Sequence, residues 1–137
     1  MTVKEWLNKG RKINIELQQL REERKQALDL ACSCTSCPNG EKVQTSTKNT
    51  SGGKFAAYTE YSAMIDKKEF ELLVYKSRMH NLINRLDNPT YRTLLSLRYI
   101  NCKTWEQIAE DMHYSYVHIV HRLHPMALNE VNKYYLE

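Results

Sequence analysis

Residues 103–124 read KTWEQIAEDMHYSYVHIVHRLH, and this pattern predicts two short helices joined by a tight turn. Thr104 can cap the first helix, and Gln107, three positions later, completes a reciprocal capping box. Ser115 can cap the second helix, and the small Ala109 lets the two helices approach each other closely. Two short helices joined by a turn of three or four residues are typical of a helix-turn-helix.

Three residues depart from the usual form of this motif. His113 stands where such turns commonly carry Gly, so we expect it in a left-handed backbone conformation at a modest cost. Arg122 falls where an apolar residue is expected and Leu123 follows it, which predicts one extra residue or a shifted register in the second helix. Pro125 lacks an amide donor, and we expect it to end or kink this helix just before it.

A further short helix is predicted ahead of the motif. Asn88 is a favourable cap and Pro89 suits the first helical position, so this helix begins here and reaches about residue 100. The residues expected to point inward are Leu94, Leu97 and Ile100. Residues 89–137 are therefore predicted to form a three-helix domain that contains the helix-turn-helix.

The same region resembles known proteins. The runs LLSLRYI (94–100) and KTWEQIAEDM (103–112), with Tyr114-Ser115 and Ala127-Leu128, resemble the last helix-turn-helix of bacterial sigma factors, sigma region 4. They are more similar still to phage late-gene transcription activators of the ArpU and RinA kind. The layout of charged helix, Val-Gln-Thr-Ser loop, long helix and this module resembles a family of small phage and prophage proteins of Gram-positive bacteria. The resemblance implies promoter recognition and contact with host RNA polymerase, without catalysis.

Candidate DNA contacts follow from how a recognition helix docks. Its N-terminal residues point toward base edges in the major groove. The candidates for base contact are Ser115, Tyr116, Val117, His118, His121 and Arg122. The candidates for phosphate contact are Arg98, Lys103 and Thr104, where the helix N-terminus adds backbone donors. For each of these residues the alternative interpretation is simple solvation.

Four of the five histidines fall between residues 113 and 124. His118, His121 and His124 follow at intervals of three, so they are expected to share one helical face. They could bind a metal ion or gain charge as the pH falls. The favoured alternative is that they are polar groups that face DNA or water; if they face phosphates, lowering the pH toward about 6 should strengthen DNA binding.

The net charge of +4 is modest, and residues 89–137 balance five basic against five acidic groups. Any contact with double-stranded DNA must therefore come from the placement of a few side chains rather than from general attraction. This balance keeps open a non-catalytic protein-interaction module or a DNA-packaging module like a small terminase subunit. No phosphate-binding loop, nucleotide-binding turn or nucleophile motif is present, so we expect no enzyme, cofactor or small-molecule substrate.

The N-terminal half is predicted to form two long helices with narrow apolar stripes. The first, about Val3 to Ala31, has a seven-residue repeat at Trp6, Ile13, Leu20 and Ala27, with a second row at Gly10, Leu17 and Ala31. The second, roughly Phe55 to Asp87, carries Tyr58, Tyr61, Ile65, Leu72, Tyr75, Met79, Leu82 and Leu86, with Lys68 at one seam position. Helices of this kind must cover their stripes, which predicts a hairpin.

The expected fold class is all-α. A long antiparallel, coiled-coil-like helical hairpin over residues 1–88, with a polar loop at about 32–54, precedes the three-helix helix-turn-helix domain over residues 89–137. Packing within one chain and packing between two chains both remain open for the hairpin. We expect a homodimer, because two-fold symmetry is common among oligomers and suits helix-turn-helix proteins.

Three cysteines, Cys32, Cys34 and Cys37, crowd into the start of the loop, and the fourth is Cys102. Their spacing could suit zinc with a fourth ligand from elsewhere, but a solvated thiol cluster in a polar loop is the favoured interpretation. No export signal and no run of 18 apolar residues occurs. We therefore expect a cytoplasmic protein of a bacterial host cell, with no membrane contact and no disulfide framework.

Overall fold

The computed structural model describes residues 1–33 and 50–136, and these residues are helical without any strand. The helices are α1 (Val3–Ser33), α2 (Thr50–Ile83), α3 (Pro89–Leu95), π1 (Ser96–Ile100), α4 (Trp105–Met112), α5 (Tyr116–His118), π2 (Ile119–Leu123) and α6 (His124–Tyr135). The all-α fold class is confirmed. Within the described ranges, no helix has both the length and the apolar character needed to cross a membrane.

The chain divides into two compact units, of which the smaller is Ile15–Phe70. Here α1 and α2 run antiparallel, because Glu16 pairs with Lys68 at 2.6 Å while Arg24, further along α1, lies 5.7 Å from the ring of Tyr58. The buried side chains of the seam are Leu17, Ala31 and Ile65. The predicted stripe therefore forms the contact, and the ion pair explains how Lys68 is tolerated within it.

The larger unit contains Met1–Asn14 and Glu71–Glu137, so the domain boundary expected after residue 88 lies inside it. The first turns of α1 cross the end of α2 closely at Gly10. A Cβ atom on Gly10 would lie 2.7 Å from Cε of Met79 and 3.0 Å from Cδ1 of Tyr75. The absence of a side chain at Gly10 is therefore what permits this close packing of the two helices.

The helix that begins at Pro89 has the predicted start and end, but the side chains that it buries differ from the predicted ones. Asn88 accepts a hydrogen bond from the amide of Thr90, as expected of its cap. The last five residues, Ser96–Ile100, form the π turn π1. Leu94, Leu95 and Tyr99 are buried, whereas Leu97 and Ile100 are only half-buried. The expectation for Leu97 and Ile100 is thus corrected, because a π turn holds more residues than an α-helical turn and rotates the following side chains.

The helix that begins at Tyr116 continues to Tyr135, through α5, π2 and α6 without a break. In π2 the amide of His124 donates to the carbonyl of Ile119, five residues back, which confirms the predicted extra residue. Of the two outcomes expected at Pro125, an end or a kink, the structure excludes the end, because the helix continues past this residue. Backbone amides bond five residues back in π2 and four residues back in α6. The amide donor that Pro125 lacks is therefore missing at the junction between the two.

Two boundaries in the N-terminal half differ from the predicted ones. Helix α2 begins at Thr50 instead of about Phe55 and ends at Ile83 instead of about Asp87. The Val-Gln-Thr-Ser segment at 43–46 lies outside the described residues.

Candidate nucleic-acid interface

The N-terminus of α4 carries the predicted capping box. The Thr104 hydroxyl accepts a hydrogen bond from the Gln107 amide at 3.3 Å, and the Gln107 side chain accepts one from the Thr104 amide at 3.1 Å. Two backbone donors at this helix end are thereby satisfied. Thr104 is exposed, as a residue near a phosphate must be, but its hydroxyl is already engaged in the cap.

A three-residue turn, residues 113–115, joins α4 to α5. His113 adopts the predicted left-handed conformation, with φ 59° and ψ 37°, and its amide donates to the carbonyls of Ala109 and Glu110. Ser115 caps α5 by accepting a hydrogen bond from the His118 amide at 3.3 Å. Local hydrogen bonds therefore fix the geometry of the turn on both sides.

The start of the second helix presents most of the predicted base-contact residues to solvent. Tyr116 is 45% exposed and Val117 is 64% exposed, although Val117 is apolar. The other exposed candidates are Ser115, His121 and Arg122. His118 is half-buried, with its ring 5.2 Å from that of Tyr114, an exposed aromatic residue that sequence reasoning did not select. On the opposite side, Ile119 is fully buried and holds the helix in place.

An open groove of about 450 Å³ lies beside the turn. Its lining residues are Glu106, Gln107, Ala109, Glu110, Tyr114 and Tyr116. Two carboxylates of α4, those of Glu106 and Glu110, make this groove acidic. Their negative charge would repel a phosphate backbone laid against this groove.

The predicted phosphate contacts Arg98 and Lys103 are both engaged within the chain. The Arg98 guanidinium lies 4.1 Å from the ring centroid of Trp105 and donates to the Lys103 carbonyl at 3.0 Å. Burial, together with the nearby Arg11, lowers the pKa of Arg98. Lys103 pairs with Asp111 at 2.5 Å on the surface. Arg98 thus has a structural role, while the exposed Lys103 pair can open at little cost.

His124 does not share a face with His118 and His121, which corrects the sequence interpretation. It is 6% exposed, and Nε2 lies 2.8 Å from the hydroxyl of Tyr99. Burial, with smaller contributions from the charges of Lys4 and Arg98, lowers the pKa of His124 to about 4. The π turn before His124 rotates its side chain inward. The one sign of this rotation in the sequence is Arg122, which stands where an apolar residue is expected.

No group of three metal-binding side chains comes together within the part of the chain that the structure describes. Cys32 is exposed, and Cys34 and Cys37 lie outside the described residues. Cys102 is half-buried, and its thiol lies 3.8 Å from the Tyr99 carbonyl.

Comparison with protein families matches residues 36–132 to the family described as "Protein of unknown function (DUF1492)". The match begins between α1 and α2, includes all of α2 and the whole candidate interface, and ends within α6. No curated protein and no solved structure matches the chain. Because the matched residues make up more than half of its length, the chain belongs to the DUF1492 family.

Proposed function

We propose that this protein binds double-stranded DNA through a helix-turn-helix made of α4, the turn and α5 with π2. The observation that carries the proposal is the exposed start of the second helix. Tyr116 and Val117 extend from its first two positions, and Arg122 from its second turn. A helix capped by Ser115, with its N-terminal side chains in solvent and Ile119 anchored behind, has what entry into a major groove requires.

The exposed side chains suggest how bases would be read. Val117 offers an apolar surface to a thymine methyl group, and Arg122 can donate two hydrogen bonds to guanine. Ser115 and His121 can bond to base edges or phosphates. Because few cations are available, specificity would come from these contacts and non-specific affinity would be low.

With the resemblance to phage late-gene activators, this chemistry supports a phage-type transcriptional regulator that binds promoter DNA and contacts host RNA polymerase. We further propose that it acts as a homodimer, which would place two recognition helices on a two-fold symmetric site. Light scattering of the purified full chain measures the mass in solution. A monomer with and without its DNA site would contradict the dimer.

Selection from a random double-stranded DNA library, followed by mobility shifts at several salt concentrations, tests DNA binding. We expect one enriched motif, bound at least about a thousand-fold more tightly than unrelated DNA. Val117→Glu and Arg122→Glu should abolish the shift, while Lys12→Glu, at an exposed position on α1, should retain it. A uniform, sequence-independent response, or equal binding by all three variants, would rule the proposal out.

A second candidate is a protein-interaction or packaging module without specific DNA affinity. The observation that favours it is the charge of residues 103–124, which hold two basic residues, Lys103 and Arg122, and three acidic ones. Retention of purified host RNA polymerase by the full chain, without any DNA shift, would support this candidate over the first.

A further inference from the structure

The larger unit has an open cleft of about 260 Å³ next to the end of α2 and the end of α6. The residues that line it include Trp6, Arg78, Asn81, Arg85, Tyr134 and Tyr135. None of these residues belongs to the candidate DNA interface. The cleft therefore needs an explanation of its own.

Two arginines supply the positive charge of the cleft. Arg78 and Arg85 are both exposed, and neither forms an ion pair with any residue in the ranges 1–33 and 50–136. Asn81, exposed three residues after Arg78, adds an amide to the same wall. Planar guanidinium groups favour carboxylates and phosphates, so the occupant should carry negative charge.

Aromatic rings form the other wall of the cleft, and they are held firmly. The Trp6 ring lies 5.2 Å from the ring of Tyr75 and 5.7 Å from that of Tyr135. The Tyr75 hydroxyl also donates a hydrogen bond to the Trp6 carbonyl. A wall fixed in this way loses little entropy when an apolar group packs against it.

We propose that this cleft binds an acidic peptide segment of a partner protein, with an apolar or aromatic anchor beside its carboxylates. Trp, Tyr and Arg together are the residues that dominate protein-binding hot spots. The volume suits one or two anchoring side chains. A single-stranded nucleic acid would need a longer basic groove, since its sites cover about four or more nucleotides.

The test is selection of a phage-displayed random peptide library on the full-length chain. Selected peptides are then labelled with fluorescein and titrated by fluorescence anisotropy. We expect Asp or Glu next to Phe, Trp or Leu in the enriched sequences. Affinity should fall roughly ten-fold or more for Arg78→Glu/Arg85→Glu and for Tyr134→Ala. Lys12→Glu/Lys67→Glu makes the same change in net charge at exposed positions outside the cleft and should leave affinity within about two-fold.

Far-UV circular dichroism and thermal unfolding verify that each variant folds, and Arg78→Gln/Arg85→Gln removes the charge without reversing it. Selected peptides without acidic enrichment would overturn the proposal, as would equal affinity for wild type and the glutamine pair. Failure to enrich any peptide would do the same. The cleft would be assigned to nucleic acid instead if an oligothymidine probe bound more tightly than every peptide and the arginine variants no longer bound that probe.

Discussion

The hydroxyl of Tyr99 lies 2.8 Å from Nε2 of His124, in the interior of the larger unit. Tyr99 belongs to π1 and His124 begins α6, so this one hydrogen bond ties together the two helices that flank α4. The ring of Trp105, the first residue of α4, meets His124 edge-on at 4.7 Å. The three side chains therefore fix the relative positions of the helices that carry the candidate interface.

Stability should depend on pH through His124. Burial lowers its pKa to about 4 from 6.5, with contributions from Lys4 and Arg98, so the imidazole is neutral in the folded protein at pH 7. The unfolded chain takes up the proton first as the pH falls. The free energy of unfolding should thus be highest above pH 6.5 and fall by on the order of 2 to 3 kcal/mol as the pH approaches 4. Urea unfolding at a series of pH values measures this change.

The matched control is His124→Gln, whose amide can still accept a hydrogen bond from Tyr99 but does not titrate. This variant should be less stable at pH 8, because the amide packs less well against Trp105. Between pH 6.5 and 4 its stability should decline much less than that of wild type. Parallel pH profiles for the two proteins would show that another group is responsible.

His113→Gly should stabilise the protein. His113 has a left-handed backbone, and a side chain there strains the turn while glycine does not. We expect relief of this strain to raise the free energy of unfolding by about 0.5 to 1 kcal/mol. The greater freedom of glycine in the unfolded chain offsets part of this gain. His113→Ala keeps the Cβ atom and should give no gain. Thermal unfolding of the three proteins compares them directly, and equal melting temperatures for the glycine and alanine variants would contradict this account.

The effect of a substitution at Gly10 on stability should depend on the size of the new side chain. In Gly10→Ala the new methyl group meets the flexible end of Met79, which can move, and the fixed ring of Tyr75, which cannot, so the higher helix propensity of alanine offsets only part of the cost. Gly10→Leu cannot be accommodated, because Tyr75 is tied to the Trp6 carbonyl and cannot withdraw. We expect a loss of about 1 kcal/mol for alanine and a larger loss, of about 2 kcal/mol or more, for leucine, measured by urea unfolding. A leucine variant as stable as wild type would mean that the helices do not cross here.

Sequence patterns were sufficient wherever local chemistry determines the structure. The capping box at Thr104, the cap at Ser115 and the left-handed His113 are each decided by the nearest few residues, and the structure has all three. The start and end of α4 could be predicted for the same reason. Exposure of Val117 followed from its place at the start of a capped helix.

What the sequence did not reveal depends on the two π turns. An extra residue in a helical turn rotates every later side chain, so a face derived from α-helical spacing is wrong after it. This is why Tyr99 is buried instead of Ile100, and why His124 leaves the face of His121. The structural role of Arg98 was equally hidden, because its stacking on Trp105 joins residues on either side of a helix boundary.

Arg98 and Arg122 should respond to the same substitution in opposite ways. Arg98→Gln loses the contact with Trp105 and the hydrogen bond to the Lys103 carbonyl, so we expect a loss of about 1 to 3 kcal/mol in stability. Arg122 is exposed, so Arg122→Gln should leave the melting temperature unchanged while it weakens binding to the selected DNA motif about ten-fold. Thermal unfolding and mobility shifts on both variants provide the comparison. If Arg98→Gln folds as stably as wild type and loses DNA affinity instead, Arg98 holds a phosphate and its contact with Trp105 is incidental.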